Sequence, residues 1–340
     1  MKSKPVPNPA AYKKRGLFEK KFWDNNIILL QNILDYNKNV SDKSKKLDIK
    51  LRGGVIHVYY KGGKILDIRF KCAKFDNKYL KNFPQKEEIQ KKWLKNIDSD
   101  KENNQTLNRD AIIRDTKGYL ECMSNVMDFW FKENPKDERE HQHYISLAPH
   151  DSIKVIDIEF AVSFNSLCYN QDYIDNYKKK TCPSHLYYEK YPNPRFDIIG
   201  ISPEGQIYVF ELKTGLDSID NMEKHVLDFA SLIGSEERFR YFNEEMKIII
   251  DTYNSHKELQ SGNIPSININ LRPKFYFLFT DKSKPKGGAD QSDFRQFQME
   301  VNNCFDRLAG SEDKELVNPL IESGIINKEA LYSHDFIIRL

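Results

Sequence analysis

The feature that most constrains the fold is a pair of apolar segments on either side of a short turn. Residues 195–202 and 206–214 are rich in isoleucine, valine and phenylalanine, and Pro203-Glu204-Gly205 separates them. Short β-branched and aromatic runs joined by proline and glycine are typical of a β-hairpin. The segment therefore predicts two adjacent antiparallel strands of a sheet.

A regular succession of helices and strands surrounds this hairpin. Helical periodicity is found over residues 115–131, 222–233 and 294–308, and a second helix through Phe239, Phe242 and Met246 extends the middle one. Further apolar strands are predicted over residues 154–163 and 274–280. The order helix, three strands, helix, strand, helix predicts an α/β fold with a mixed sheet flanked by helices. The last strand would be reached by a helical crossover. Asp220 and Glu223 have the spacing of a capping box at the start of the middle helix.

The first hundred residues follow a different pattern. They predict an amphipathic helix over residues 17–36, a β-hairpin over 50–71 with its turn at Lys61-Gly62-Gly63-Lys64, and a short helix over 86–97. Residues 98–105 are polar throughout and are the expected linker. We therefore predict an α+β extension over residues 1–105, followed by a second domain over residues 106–340.

Charge is distributed unevenly between these parts. Residues 1–100 contain 24 lysines and arginines and 11 aspartates and glutamates, a net +13, and the remaining 240 residues contain 29 and 39, a net −10. A basic segment of this kind indicates a polyanion partner such as nucleic acid. A lysine-rich surface that only contacts solvent is the alternative, and charge alone does not choose between them.

Composition excludes several classes of protein. No stretch approaches the roughly 20 apolar residues of a membrane-spanning helix, and the first residues lack the apolar region of a secretory signal. The five cysteines include no C-x-x-C pair. They indicate reduced thiols in a cytoplasmic protein, and neither a disulfide framework nor a zinc site.

The residues that carry chemistry lie within the predicted hairpin. Glu211 and Lys213 are two residues apart in one strand, so both side chains leave the same face of the sheet. Asp197 lies on the partner strand and is expected beside Glu211. Two carboxylates at close range repel each other unless a cation joins them, and oxygen ligands suit Mg²⁺ or Mn²⁺. A lysine beside them can stabilise a hydroxide or a phosphate charge.

Sequence context gives this pattern its weight. Glu-x-Lys occurs four times, at residues 19–21, 211–213, 245–247 and 312–314, and only the second copy falls in a predicted strand. The alternative is an ordinary ion pair on a half-exposed sheet, which contributes at most about 1 kcal/mol. That alternative does not explain why the strand is apolar on both sides of the charged residues.

This arrangement resembles the PD-(D/E)XK nuclease superfamily, which has a restriction-endonuclease-like αβββαβ core. The resemblance covers roughly residues 110–310 and is carried by Asp197, thirteen intervening residues and Glu211-Leu212-Lys213. It implies metal-dependent hydrolysis of phosphodiester bonds, with DNA as the expected substrate. Asp197, Glu211 and the carbonyl of Leu212 would hold the metal, and Lys213 would position the attacking water. In this chain Pro194 stands three residues before Asp197 instead of directly before it.

Further site residues are proposed with alternatives. The resemblance implies an additional acid, for which Glu121 on the first helix and Glu159 on the first strand are rivals. Lys224 and His225 could reach a phosphate from the helix after the hairpin. His141 and His143 superficially suggest a metal pair, but their acidic neighbours favour a solvated loop. A lysine-glycine loop could also contact phosphate through Lys282, Lys284 and Lys286.

Two other functions remain open at this point. A protein can keep this fold as a catalytically inactive nucleic-acid-binding or scaffold protein. Alternatively, hydrolysis is retained and the substrate is RNA or a branched DNA joint, because the metal chemistry is the same for either sugar. The sequence does not decide between them.

Overall fold

A computed structural model shows two compact units. The N-terminal unit comprises residues 14–147 and 251–263, and the C-terminal unit includes residues 148–250 and 264–340. The structure describes residues 16–95, 104–135, 137–161, 195–234, 236–256, 259, 263–280, 291–311, 313–333 and 337–340.

The N-terminal unit is built on a five-stranded antiparallel sheet. Its strands lie in sequence order: β1 (Asp48–Arg52), β2 (Val55–Tyr60), β3 (Gly63–Ile68), β4 (Ala73–Asp76) and β5 (Asn104–Leu107). The predicted hairpin is confirmed, and its two-residue loop consists of Lys61 and Gly62, both with positive φ. Such a loop matches the twist of the flanking strands.

Helices complete this unit. They are α1 (Lys20–Asn39), α2 (Lys86–Trp93), α3 (Arg109–Arg114), α4 (Thr116–Glu133) and α5 (Asp137–Leu147). Helix α4 is tied to the sheet because Tyr119 donates a hydrogen bond to the carbonyl of Ile65 at 2.7 Å, and Tyr60 donates to Asp128. The expected solvated loop around His141 and His143 is wrong: both residues are buried in α5. Burial lowers the pKa of His143 to about 4.

The division of the chain differs from the predicted boundary at residue 105. Part of the expected linker, Asn104 and Gln105, opens strand β5, which pairs with β4, and residues 96–103 lie outside the described part. Helices α3 to α5 belong to the same unit as this sheet. The polar composition of the linker was misleading because an edge strand needs few apolar residues of its own.

The C-terminal unit contains the predicted mixed sheet. Its order is β10-β9-β8-β7-β6, with β6 (Lys154–Ala161), β7 (Arg195–Ile201), β8 (Ile207–Thr214), β9 (Lys274–Thr280) and β10 (Leu331–Tyr332). Strands β6, β7 and β8 are antiparallel neighbours, whereas β8, β9 and β10 are parallel. Parallel pairing of β8 and β9 requires a crossover connection. The α/β class and four of the strands are therefore confirmed.

Helices form that crossover and follow it. Helices α6 (Met222–Ile233) and α7 (Glu236–Ser255) separate β8 from β9, and α8 (Gln291–Ala309) and α9 (Lys314–Glu322) come after β9. The ring of Phe229 on α6 lies 5.2 Å from that of Phe275 on β9, and Phe297 on α8 lies 4.7 Å from Phe279. These aromatic contacts bury the sheet beneath the helices. None of the described helices is long and apolar enough to cross a lipid bilayer.

Candidate active site

The β7–β8 hairpin brings two acidic residues to neighbouring positions. Ile201 pairs with Ile207 and Ile198 with Phe210, so the next position in the same register places Asp197 opposite Glu211. The turn closes through Gly205, whose N–H donates to the carbonyl of Ser202 at 3.0 Å. Directly opposed residues of an antiparallel pair have Cα atoms about 4.5–5.5 Å apart. Continuation of this register therefore puts the two acids at facing positions of neighbouring strands.

Glu211 is a buried carboxylate with two donors on one oxygen. Its Oε1 accepts a hydrogen bond from Lys213 Nζ at 3.0 Å and lies 2.9 Å from His225 Nε2. Glu211 is 3% and Lys213 is 7% exposed. An ordinary ion pair on a half-exposed sheet therefore does not describe this site, because both charges lie beneath the surface of the unit.

The second oxygen of Glu211 is in a different situation. Oε2 is buried and has no hydrogen-bond partner among the residues that the structure describes. Burial raises the pKa of this carboxyl, but the charges of His225 and Lys213 outweigh burial and hold its pKa below its usual value. Glu211 is therefore an ionised carboxylate with one oxygen left for a further partner.

Asp197 is anchored at the open end of the hairpin. It is half-buried, and its Oδ2 accepts the backbone N–H of Leu212 at 2.8 Å. This bond spans from β7 to the residue between Glu211 and Lys213. Leu212 itself is buried, and it pairs with Leu278 of β9. The backbone amide of Leu212 thus links Asp197 to the strand segment that carries Glu211 and Lys213.

Glu159 lies on β6, the strand that pairs with the Asp197 strand β7. Ile158 pairs with Ile198 and Phe160 with Phe196, so Glu159 takes the position opposite Asp197 on the outer strand β6. The register of β6 shifts between Val155 and Asp157, and Glu159 has φ of 51°. A non-glycine residue rarely adopts this left-handed conformation, and such strain is often found beside functional sites.

Glu121, the rival acid, belongs to the other compact unit. It lies on α4, is exposed, and pairs with Lys117 at 3.8 Å. It lines a polar cavity of about 840 Å³ within the N-terminal unit, together with Tyr36, Tyr60 and Asp128. Of the two proposed acids, Glu159 is therefore the one that shares a sheet with Asp197 and Glu211.

The helix after the hairpin, α6, contributes side chains to the surroundings of Glu211. His225, expected as a phosphate contact, lies against Glu211, and its side chain is 16% exposed. Asp228, one turn further along α6, is 2% exposed, and Lys224 is half-buried. Burial and the charge of Glu211 raise the pKa of Asp228 to about 7, although Lys224 acts in the opposite direction. Lys282, Lys284 and Lys286 lie outside the described residues.

The donor set fits a hard divalent cation in part. The buried, unpartnered Oε2 of an ionised glutamate and the neighbouring aspartate are suitable ligands for Mg²⁺, which is commonly held by one or two carboxylates and keeps several waters. In the described parts of the chain, no group of three or more histidines, cysteines, aspartates or glutamates is arranged to hold a metal ion. A site here would consequently rely on water, backbone or substrate oxygens as further ligands.

Comparison of the chain with protein-family models, with curated proteins and with solved structures finds no match. The fold and site thus define an α/β protein with a buried, cation-paired carboxylate at the centre of a mixed sheet. Membership of the PD-(D/E)XK superfamily stays a prediction.

Sequence reasoning missed the contact of His225 with Glu211 and the burial of Asp228 near that carboxylate. The signal that could have found them is their spacing of three residues on one helix, which puts both side chains on the same face. Only 7 residues, from Gly215 to Asn221, separate β8 from α6. A connection this short keeps the start of the helix near the end of the strand that carries Glu211 and Lys213.

Proposed function

We propose that this protein is a metal-dependent nuclease with a restriction-endonuclease-like core. One observation carries the proposal. Glu211 presents a buried carboxylate oxygen without a partner among the described residues, next to Lys213 and opposite Asp197 across a hairpin. An unsatisfied buried oxygen on an ionised group is costly unless a ligand completes it. A divalent cation is the partner that suits such an oxygen best.

The topology supports the same proposal. Three antiparallel strands, a helical connection and a fourth strand parallel to the third form one sheet, in the order expected for the βββαβ portion of such a core. The helix expected before these strands corresponds to α4 in the sequence, and α4 belongs to the N-terminal unit. The proposal therefore rests on the sheet and its site.

Asp197 and Glu211 would hold the ion, with the carbonyl of Leu212 and the carboxylate of Glu159 as further candidates. When bound, Mg²⁺ or Mn²⁺ supplies a Lewis acid that polarises a phosphate and lowers the pKa of water. Lys213 places an ammonium group beside the carboxylates, where it can donate a hydrogen bond to a phosphate oxygen as negative charge develops.

The substrate of this reaction is a nucleic acid, and we propose DNA. The net charge of +13 over residues 1–100 supports a polyanion partner. Electrostatic attraction of this kind is largely independent of sequence, so it would raise affinity for any strand. We propose a cytoplasmic location on the basis of the cysteine pattern alone.

The first prediction concerns Lys213. Purified protein is incubated with plasmid, linear, single-stranded and branched DNA and with RNA, in Mg²⁺, Mn²⁺ or EDTA. We expect cleavage that requires the metal and falls at least about 100-fold in Lys213→Ala, because one preorganised electrostatic group commonly contributes that much. The matched control is Lys247→Ala, which changes the exposed lysine of another Glu-x-Lys copy, within α7. Cleavage that survives EDTA or the Lys213 change would reject this mechanism.

A second candidate function is an inactive nucleic-acid-binding or scaffold protein with the same fold. The observation that favours it is the convergence of Lys213 and His225 on Glu211, which compensates the carboxylate charge within the protein. Such a protein would bind DNA without cleaving it. Addition of Mg²⁺ or Mn²⁺ would also leave its melting temperature unchanged. A nuclease should instead be stabilised by the ion, and the Asp197→Ala variant should lose that stabilisation.

A further inference from the structure

The carboxylate of Glu211 is oriented by donors from two different elements. Lys213 comes from the same strand, and its Nζ lies 3.0 Å from Oε1. His225 comes from α6, and its Nε2 lies 2.9 Å from the same oxygen. Because both donors select one oxygen, rotation of the carboxylate about its last bond would break two hydrogen bonds. The orientation of Glu211 is thus defined by its surroundings.

The consequence of this orientation is that Oε2 is kept apart from both donors. Oε2 is buried and has no hydrogen-bond partner among the described residues, although two donors lie within reach of its twin. If either donor were shared between the two oxygens, Oε2 would be satisfied inside the protein. The arrangement instead leaves one lone-pair-bearing oxygen available for a ligand in a place where an unsatisfied oxygen is expensive.

We propose that His225 is a positioning residue that turns Glu211 so that Oε2 is presented to a divalent cation. This proposal rests on the proposed function and deepens it by assigning a role to α6. His225 differs from a phosphate contact because its Nε2 is already engaged with Glu211 and most of its side chain is buried. Hydrogen-bonded partners of ligating carboxylates commonly fix ligand orientation in metal sites.

A purely structural role is the alternative. In that case the bond between His225 and Glu211 serves only to dock α6 on the sheet, and its loss changes stability but not the intrinsic affinity for metal. The two roles differ in what a substitute side chain can restore. Glutamine can place its Nε2 amide near the position of the histidine Nε2, whereas the shorter asparagine places its amide nearer to Nδ1.

The experiment measures Mn²⁺ binding to the full chain by calorimetry at one fixed pH. It compares the wild type with His225→Ala, His225→Gln and His225→Asn, and melting temperatures establish which variants are folded. We expect the alanine and asparagine variants to bind Mn²⁺ about 10–100-fold more weakly, which is the usual effect of losing such a partner. The glutamine variant should recover most of the affinity.

Each outcome decides between the proposals. Equal Mn²⁺ affinity in the wild type and the folded alanine or asparagine variant overturns the role of His225 and leaves the nuclease proposal standing. Weak binding in the glutamine variant as well as in asparagine also overturns it, because the donor position then does not matter. If the wild type does not bind Mn²⁺, the nuclease proposal fails and the role of His225 fails with it. If His225→Ala does not fold, the comparison of glutamine with asparagine still gives the answer.

Discussion

At the scale of single residues, the site depends on how a buried charge is compensated. Glu211 and Lys213 are removed from water together, and the desolvation of both ions is offset only when their geometry and remaining hydrogen bonds are good. The extra donor from His225 improves that balance on one side of the carboxylate. The other side remains unsatisfied within the described residues. The buried pair of Lys50 and Asp48 also leaves one carboxylate oxygen without a partner, so Glu211 is distinguished by its second donor, His225, and by its position opposite Asp197.

Asp228 provides a prediction about pH. Its pKa is raised from 3.8 to about 7, by burial first and by the charge of Glu211. The folded state therefore holds this proton more tightly than the unfolded state, so the stability that it contributes is fully present below about pH 4 and is lost as the pH rises through 7. A shift of this size corresponds to at most roughly 4 kcal/mol.

The variant Asp228→Asn cannot ionise and should escape that loss. We expect it to match the wild type near pH 4 and to be more stable by roughly 2–4 kcal/mol at pH 8. Urea unfolding in EDTA at pH 4, 6 and 8 measures the difference without interference from metal. A difference that does not change with pH would contradict the raised pKa.

At the scale of elements, the β7–β8 hairpin determines whether Asp197 meets Glu211. Its turn contains Gly205, which has φ of 82°. A Cβ at this position would collide with the backbone carbonyl of Ser266 and come within 2.7 Å of the Asn268 backbone nitrogen. The turn therefore requires glycine for two reasons, the left-handed conformation and the close approach of another segment.

Substitution of this glycine should be damaging. We expect Gly205→Ala to lower the free energy of unfolding by about 1–3 kcal/mol, because it adds backbone strain to a steric collision. Two control variants separate these effects in urea denaturation. Gly324 has φ of 68° and nothing within 4 Å of an added Cβ, so Gly324→Ala introduces backbone strain without a collision. An added Cβ at Gly310 makes only ordinary contacts at 3.6 and 3.7 Å, so Gly310→Ala introduces no collision either. If Gly205→Ala lowers the free energy of unfolding no more than Gly324→Ala does, the collision is relieved at little energetic cost.

Helix α6 shows where local sequence signals misled. The capping box predicted at Asp220 and Glu223 is wrong, because the residue that caps the helix is Asn221, with φ of 63° and no side-chain capping bond. Glu223 instead pairs with Arg307 on α8. A tertiary ion pair and a left-handed entry thus replace the local motif at the start of the helix that carries His225.

At the scale of the whole molecule, charge predicts how nucleic acid would be held. Lys81, Lys91 and Lys95 are exposed lysines of the N-terminal unit. Replacing all three by glutamine should weaken DNA binding and reduce the salt slope, by about 0.9 for each phosphate contact that is lost. The matched control replaces Lys247, Lys314 and Lys328, three exposed lysines of the C-terminal unit.

Binding isotherms at several salt concentrations test this prediction. The expected result is a shallower dependence of log K on log salt for the first triple variant and an unchanged slope for the control. Equal slopes for both triple variants and the wild type would remove the argument that the basic segment faces a polyanion. A triple variant is preferable to a deletion of residues 1–100, because that deletion would remove four of the five strands of the N-terminal sheet.

Much of the fold could be predicted from local patterns. Apolar runs and turn residues predict the hairpin over residues 195–214, the aromatic strand over 274–280 and the N-terminal hairpin, since these signals act within a few residues. The register that places Asp197 opposite Glu211 follows from the short turn, so the acidic pair was also predictable. Tertiary features were not, because the division near residue 147 depends on the packing of α4 and α5 against the N-terminal sheet.

The sequence by itself determined the chemistry that is present, namely two carboxylates and a lysine at strand spacing in an apolar hairpin. Only the tertiary structure decided how that chemistry is arranged. It brought His225 from α6 to one oxygen of Glu211, left the other oxygen unpartnered among the described residues, and assigned Glu121 to the other unit. The physical reason is that periodicity specifies which way a side chain points from its own element. The neighbour that it meets is specified by packing between elements distant in the chain.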